Sequence, residues 1–412
     1  MKRFAVIGLT LSVLGGAGQA SADTPPLSEQ IAAIVQPQLD SHPDLNLGVA
    51  VDVVQPGTSG AVNTSIFYFG KLVDQNNNPI PLDGATEFEI GSVTKTFTTT
   101  VLAAQFQYQP SLLDLPINQI FRRTPTYKGQ QITLRDLADY TSGLPGSNRG
   151  QGSASCTFDG AQIEDCYDLH LMFQHLSNPT FTTLQFAPGT RYLYSDLAVA
   201  VLALAEPSLS GSQTTKPLQL LSEWEGLVGS VLLQPLRMKS THAFDPALDP
   251  PLLPKGYHKD PSGNISPALS HNTSWPAFIG AGGIVSTPND MMLYLEYNAG
   301  VLEIALNSLL PALRKPYTDV TTPSGEQLGL GWFISPLPGS TIQYLSKNGG
   351  VPAFSARIYF APATATGVVV LTNSSHEKDT DPIVDIGTVA LQVLQIINGL
   401  TPTATGQTDD QD

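Results

Sequence analysis

Gly91-Ser92-Val93-Thr94-Lys95 is the stretch on which the reading of this chain turns. It follows a short strand-like run, Thr86 to Ile90, and opens a segment that runs to about Tyr108. With that segment helical, Lys95 stands one turn beyond Ser92 on the same face. A serine hydroxyl is a weak nucleophile until a base stands beside it. An amine at this spacing is placed to take its proton or to orient it. The Thr-rich first half of the segment has poor intrinsic helix propensity, so burial must hold the helix.

Ser-x-x-Lys by itself is a weak signal. Ser375-His376-Glu377-Lys378 has the same spacing, but it follows the apolar run Val368 to Leu371 and precedes Asp379, Asp381 and Pro382. No helix pattern opens there, and Ser375 is expected to be a solvated loop residue. Ser92 is set apart by two further blocks. Pro188-Gly189-Thr190-Arg191-Tyr192-Leu193-Tyr194-Ser195-Asp196 is a turn that leads into an Ala/Leu-rich helix. A phenol presented there beside lysines has its phenolate favoured, and serves as a base towards Ser92 and then as an acid towards a leaving group. Alone, Tyr194 would read as a packing aromatic. Lys347-Asn348-Gly349-Gly350 follows the strand-like Thr341 to Leu345. A lysine there can hold a substrate carboxylate, and the glycines let a substrate backbone approach. Their N–H groups could supply half of an oxyanion hole, with the Ser92 N–H as the other half. Alone, this block would read as an ordinary hairpin with a solvated lysine.

Residues 1–22 read as an export signal: basic Met1-Lys2-Arg3, apolar Phe4 to Leu14, and small Ala20-Ser21-Ala22, with the mature chain starting near Asp23. The apolar run is too short to span a bilayer. Formal net charge is −15 at pH 7, and loss of Lys2 and Arg3 makes the remainder more acidic. That balance argues against nucleic acid or an anionic membrane surface as a partner. In an oxidising compartment Cys156 and Cys166 are expected to form a disulfide, which pins a loop and contributes roughly 2.8 kcal/mol by chain entropy. No metal-ligand spacing surrounds them.

The chain divides by pattern. Ser28 to Leu39 reads as an amphipathic helix, and Leu47 to Val54 and Ser65 to Leu72 as strands. The middle is helical and loop-rich, with helices expected at Thr133 to Tyr140, Asp196 to Glu206 and Asn289 to Asn298. Long polar loops lie between Ser142 and Asn178 and from Phe244 to Pro276. Strands return at Gly329 to Ser335, Thr341 to Leu345, Phe354 to Phe360 and Gly367 to Thr372, before a helix over Ile383 to Ile397. The expectation is an α+β fold: one antiparallel sheet from both chain ends, flanked by helices, with a mainly helical insertion. The sheet domain would take 23–110 and 314–400, the helical domain 111–313, and a disordered tail 401–412. The site would form in the cleft between them.

The order Ser92-x-x-Lys95, Tyr194-Ser195-Asp196, Lys347-Asn348-Gly349 resembles the class C β-lactamase and penicillin-binding-protein superfamily. Ile132 to Leu137 running into Thr141-Ser142-Gly143-Leu144-Pro145, Pro235 to Thr241, Gly282 to Met291 and Gly329 to Trp332 look like further blocks of it. Pro125-Thr126-Tyr127 with Thr287 to Met292 is most similar to AmpH-type D-alanyl-D-alanine carboxypeptidase/endopeptidases.

The resemblance implies a β-lactamase/transpeptidase-like fold and a periplasmic serine hydrolase without metal or organic cofactor. Ser92 would form an acyl-enzyme, with Lys95 and Tyr194 handling the proton. Gly350 would complete the oxyanion hole, and Lys347 would steer a terminal carboxylate. Substrates would be peptidoglycan peptides or small acyl donors, with β-lactams as acylating agents. An esterase, a class C-type β-lactamase and a non-catalytic penicillin-binding sensor are the alternatives. A Ser-His-Asp hydrolase is disfavoured, since no Gly-x-Ser-x-Gly is present and His170, His175 and His271 read as structural. Asp196 stands where the family usually has Asn, and Asn348 where Thr or Ser is common. A carboxylate beside Lys95 favours the ammonium form, which shifts the base role towards Tyr194. Asp196, Asn348 and Gly349 would touch substrate amide and carboxylate groups, and the two departures weigh against efficient β-lactam hydrolysis.

Overall fold

A computed structural model describes residues 25–57, 61–147, 153–158, 161–166, 169–178, 182–244, 253–268, 276–377 and 380–403, of which 153–158, 161–166 and 276 are described as backbone only. The expected export signal and most of the tail fall outside these residues. Among the described residues, no helix is long and apolar enough to cross a membrane.

Helix α1 (Leu27–Asp40) precedes the hairpin β1 (Gly48–Pro56) and β2 (Val62–Gly70). Helices α2 (Thr94–Phe106), α3 (Leu134–Ala138), α4 (Asp196–Leu209) and α5 (Pro288–Ala299) mark the middle. Strands β3 (Gln327–Leu328), β4 (Phe333–Pro336), β5 (Gln343–Val351), β6 (Phe354–Ala361) and β7 (Thr366–Thr372) follow, then helix α6 (Ile386–Ile397). Together they make the expected α+β arrangement. One seven-stranded antiparallel sheet runs β3-β4-β5-β6-β7-β1-β2, so the two ends of the chain meet where β1 pairs with β7.

Period-2 alternation explains the layering. Val49, Val51 and Val53 of β1 point to the layer of α1 and α6, where they meet Ile31, Val35, Leu39, Val389 and Val393. The α1 trio recurs every four residues, a single helix face. Ala50 and Val54 point the other way, where α5 packs on β1, β6 and β7. Each buried valine contributes about 1.5–3 kcal/mol. From that second face one apolar core continues through α2 and α4 to Trp224 and Leu236, so the sheet and the helical middle share their packing. Asp52 lies in the same alternating row as Ala50 and Val54. It is fully buried, neither carboxyl oxygen has a hydrogen-bond partner among the described residues, and burial pushes its carboxyl well above the usual range.

Several expected loops contain structure. The Ser142 to Asn178 stretch holds a backbone hairpin, Ser153–Phe158 with Ala161–Cys166, and a helix, Leu169–Leu176, that carries His170 and His175. In the hairpin Cys156 stands opposite Ile163 and Cys166 opposite Ser153. Both cysteines are described as backbone only, so the expected disulfide lies outside what is described, and His271 lies outside the described residues. Within Phe244 to Pro276, Gly256–Lys259 pairs antiparallel with Ile265–Ala268 and parallel with Ser374–His376.

That pairing corrects the reading of Ser375. It is 6% exposed in a strand, its Oγ donating to Pro352 O at 2.5 Å and meeting His258 Nδ1 at 2.9 Å. The local sequence looked like a turn because the partner strand lies more than a hundred residues away. Ser375 ties the Val351–Phe354 turn to a neighbouring strand rather than standing in solvent.

Candidate active site

Ser92 sits in a single 3-10 turn, Gly91–Val93, that runs directly into α2. Two glycines let this turn lie against β5. Gly91 has φ +50°, and a Cβ there would stand 2.6 Å from Gly350 N. A Cβ on Gly349 would stand 2.0 Å from Ile90 O. The Ser92 turn and the Gly349-Gly350 backbone are therefore in direct contact.

The threonines that weaken α2 as an isolated helix are what hold it in place. Thr94 Oγ1 accepts from Ile284 N at 3.0 Å, and Thr98 Oγ1 donates to Gly280 O at 2.7 Å. Thr99 Oγ1 donates to Leu330 O at 2.9 Å. Thr96 Oγ1 donates to Val93 O at 2.7 Å and accepts from Tyr294 Oη at 2.8 Å. Each such bond contributes about 0.5–1.5 kcal/mol net, and losing one partner leaves a buried polar group whose desolvation is uncompensated.

Lys95 is fully buried, and its Nζ lies 2.7 Å from Ser92 Oγ, 2.8 Å from Ala281 O and 2.6 Å from Asp196 Oδ1. A carbonyl and a carboxylate only accept, so they take two N–H bonds of the amine. Its remaining position is thereby directed at the serine oxygen. Asp196 is the first residue of α4, whose N-cap Ser195 accepts from Ala198 N at 2.9 Å and donates to Pro145 O at 2.7 Å. These bonds lock the segment that carries Tyr194. The ammonium groups of Lys95 and Lys347 each lie 5.0 Å from the centroid of the Tyr194 ring. Ser92, Lys95, Tyr194, Asp196 and Lys347 thus form one constellation from three separate segments. Among the described residues, no group of three or more His, Cys, Asp or Glu is placed to hold a metal ion.

The family model "Beta-lactamase" matches residues 47–388. The chain belongs to the beta-lactamase family. Its members include serine hydrolases, and the constellation above occupies the matched region. A "Beta-lactamase" of Pseudomonas fluorescens is 26% identical over 361 residues, covering 80% of this chain and 89% of the relative. The "D-alanyl-D-alanine-carboxypeptidase/endopeptidase AmpH" of Escherichia coli (strain K12) is 28% identical over 324 residues, with 74% and 75% covered. Among solved structures, the octameric penicillin-binding protein homologue from Pyrococcus abyssi superposes with TM-score 0.68 at 18% identity, covering 91% of this chain and 78% of that one. A class C beta-lactamase superposes with TM-score 0.66 at 21% identity, covering 89% and 95%.

In this beta-lactamase-family chain, β4 pairs with β5 only as far as Phe333 opposite Ser346, so the edge of β5 from Lys347 onward extends past the end of β4. Lys347 is fully buried and its Nζ donates to Asn348 O at 2.7 Å. Asn348 departs from the expectation that its side chain touches substrate. Alternation along β5 turns it to the opposite face, where its Oδ1 accepts from Tyr359 Oη at 3.2 Å, and Tyr359 belongs to the core beside α6. Gly349 is a packing position against Ile90, while a Cβ on Gly350 would meet no heavy atom within 4 Å.

Sequence reasoning missed the Ala281 carbonyl, because a backbone acceptor has no side-chain signature. Its only trace is the Gly280-Ala281-Gly282-Gly283 run, where close backbone approach is sterically open. It also missed the tie between two landmark blocks: Asp290 Oδ2 accepts from Ser240 N and from Thr241 Oγ1, each at 2.8 Å.

Proposed function

We propose that this chain is an exported, periplasmic penicillin-binding D,D-peptidase that acts on peptidoglycan stem peptides through an acyl-enzyme on Ser92. The observation that carries the reading is the Lys95 tripod, in which two acceptor-only partners leave the amine facing Ser92 Oγ. A second buried ammonium, Lys347, stands beside the same phenol and at the start of the β5 edge, which suits a substrate with a terminal carboxylate. A simple ester needs no such cation. The AmpH relative supports the peptidase over the esterase.

Ser92 Oγ attacks the carbonyl carbon of the scissile amide, and its proton passes to the Tyr194 phenolate, with Lys95 orienting the hydroxyl. The oxygen that becomes negative is received by the N–H groups of Ser92 and Gly350. As the C–N bond breaks, Tyr194 returns the proton to the departing nitrogen. Water then attacks the ester and gives its proton to the same base, which passes it to Ser92 Oγ as the acyl C–O bond breaks and the shortened peptide leaves. A β-lactam would enter the same path with its ring amide as the scissile bond.

Intact-protein mass spectrometry of the mature chain mixed with benzylpenicillin, followed over time beside Ser92→Ala, tests this reading. A persistent adduct that is absent from Ser92→Ala is the expected result. Antibiotic consumed in a Ser92-dependent way without an adduct would instead make the chain a β-lactamase. Neither adduct nor consumption would refute the peptidase reading and turn attention to ester substrates or a silent sensor.

A further inference from the structure

Tyr140 stands at a junction of the elements that carry the site. It follows the short helix α3, is fully buried, and has φ +60°, a left-handed conformation rare for an aromatic residue. Its carbonyl accepts from Leu193 N at 2.9 Å, the residue next to Tyr194. Its ring is stacked between Tyr194, with centroids 5.2 Å apart at 28°, and Phe333, at 5.3 Å and 11°. Its Oη donates to Gly331 O at 3.1 Å. Gly331 in turn lies against α2: a Cβ there would stand 2.7 Å from Thr99 Oγ1 and 3.4 Å from Lys95 O. Phe333 opens β4 opposite Ser346, the neighbour of Lys347, and the Lys347 ammonium also lies 5.5 Å from its ring centroid.

We infer that Tyr140 is a positioning residue, whose backbone and ring together hold the Tyr194 phenol between the Lys95 and Lys347 ammonium groups. The inference rests on the reading of Tyr194 as the group that moves the proton. A residue serving only as core filler needs apolar surroundings. Tyr140 instead makes directed contacts to the segment that supplies the phenol, through Leu193 N and the Tyr194 ring, and to Gly331 and Phe333, whose segment packs against α2 and pairs with β5. The strained backbone is what allows its carbonyl to reach Leu193 while its ring lies under Tyr194. Burial, and then the neighbouring Tyr192 and Asp196, push its own phenol well above the ordinary value, so Tyr140 stays neutral beside the residue it supports. Tyr192 closes the column edge-on, 6.4 Å from Tyr140 and 6.1 Å from Phe333.

The test compares Tyr140→Phe, which keeps the stack, with Tyr140→Leu, which removes it, in the full mature chain. Benzylpenicillin acylation is followed by stopped flow across pH, separating binding from the limiting acylation rate. Tyr140→Phe should stay near the unmodified rate, while Tyr140→Leu should lose about 10²-fold in limiting rate, the effect of an ångström-scale misplacement. Its binding constant should be little changed and its pH profile displaced. A Tyr140→Leu protein with the unmodified rate and profile would overturn the inference, as would Tyr140→Phe falling as far as Tyr140→Leu. Should Tyr140→Leu fail to fold, Phe333→Leu loosens the column from its far side, and an unmoved pH profile there overturns the inference equally. A readout independent of any acyl donor is NMR titration of ring-labelled tyrosine, with the Tyr194 signal assigned through Tyr194→Phe. Its midpoint should move in Tyr140→Leu and not in Tyr140→Phe. No movement would sink the positioning role, whereas a missing Ser92-dependent adduct in the unmodified protein would count against the proposed function alone.

Discussion

Substituting one glycine of the adjacent pair in β5 should abolish acylation, and substituting the other should not. Gly349→Ala places a Cβ 2.0 Å from Ile90 O and 3.0 Å from Val93 N, backbone atoms on either side of Ser92. An ordinary contact of about 3.5 Å is reached only if the strand and the Ser92 turn part by about 1.5 Å. No flexible side chain stands between them to absorb the change. Overpacking of this kind costs about 1–3 kcal/mol, which leaves the protein folded. Loss of one oxyanion donor costs about 10²–10³ in rate, so acylation should fall by at least that much. Gly350→Ala keeps the same N–H and meets no heavy atom within 4 Å, so it should acylate nearly as the unmodified chain does. Stopped-flow acylation by benzylpenicillin, with thermal melts as a check on folding, reads both. If Gly349→Ala acylates normally, or if Gly350→Ala is equally damaged, the close contact is not what positions Ser92.

Two further substitutions probe charge. Asp196→Asn keeps an acceptor for Lys95 but removes the carboxylate 2.6 Å from its nitrogen, so the ammonium is less favoured. Acylation at neutral pH should be preserved or raised, with the acid limb of its pH profile moved down, and a fall in rate would show that the carboxylate itself is needed. Burial raises the folded-state value of Asp52 above its unfolded value, so the native state binds the proton more tightly and stability falls as pH rises above about 3.9. Asp52→Val should therefore stabilise by about 1–3 kcal/mol at neutral pH and by less near pH 4. Denaturant melts at both pH values check this, and equal effects would mean that Asp52 is not titrating.

The legible part of the site is the part written in side chains. Ser92, Lys95, Tyr194 and Lys347 announce themselves because each chemistry needs that residue type, and the sheet edges follow from period-2 runs such as Val49, Val51 and Val53. The expected strand ends at Leu345, which leaves the face of Asn348 unassigned. With β5 continued through Val351, parity alone sends Asn348 to the face opposite Lys347. Ser375 was misplaced because a three-residue strand has no period to detect, and its partner His258 is 117 positions away. The glycine run around Ala281 hints at close backbone approach but not at its partner, and the tilt of the Tyr140 ring has no local sign, since both depend on how distant segments meet.

The threonine ties of α2 also bear on how the chain is made. Thr98, Thr94 and Thr99 reach partners 182, 190 and 231 positions downstream, and β1, already paired with β2, gains its second neighbour only when β7 is present. During synthesis, then, the serine segment exists long before anything that can hold it in shape. Such late, long-range closure is slow. The Ser92 turn therefore takes its final shape only after segments far downstream in the chain have been made.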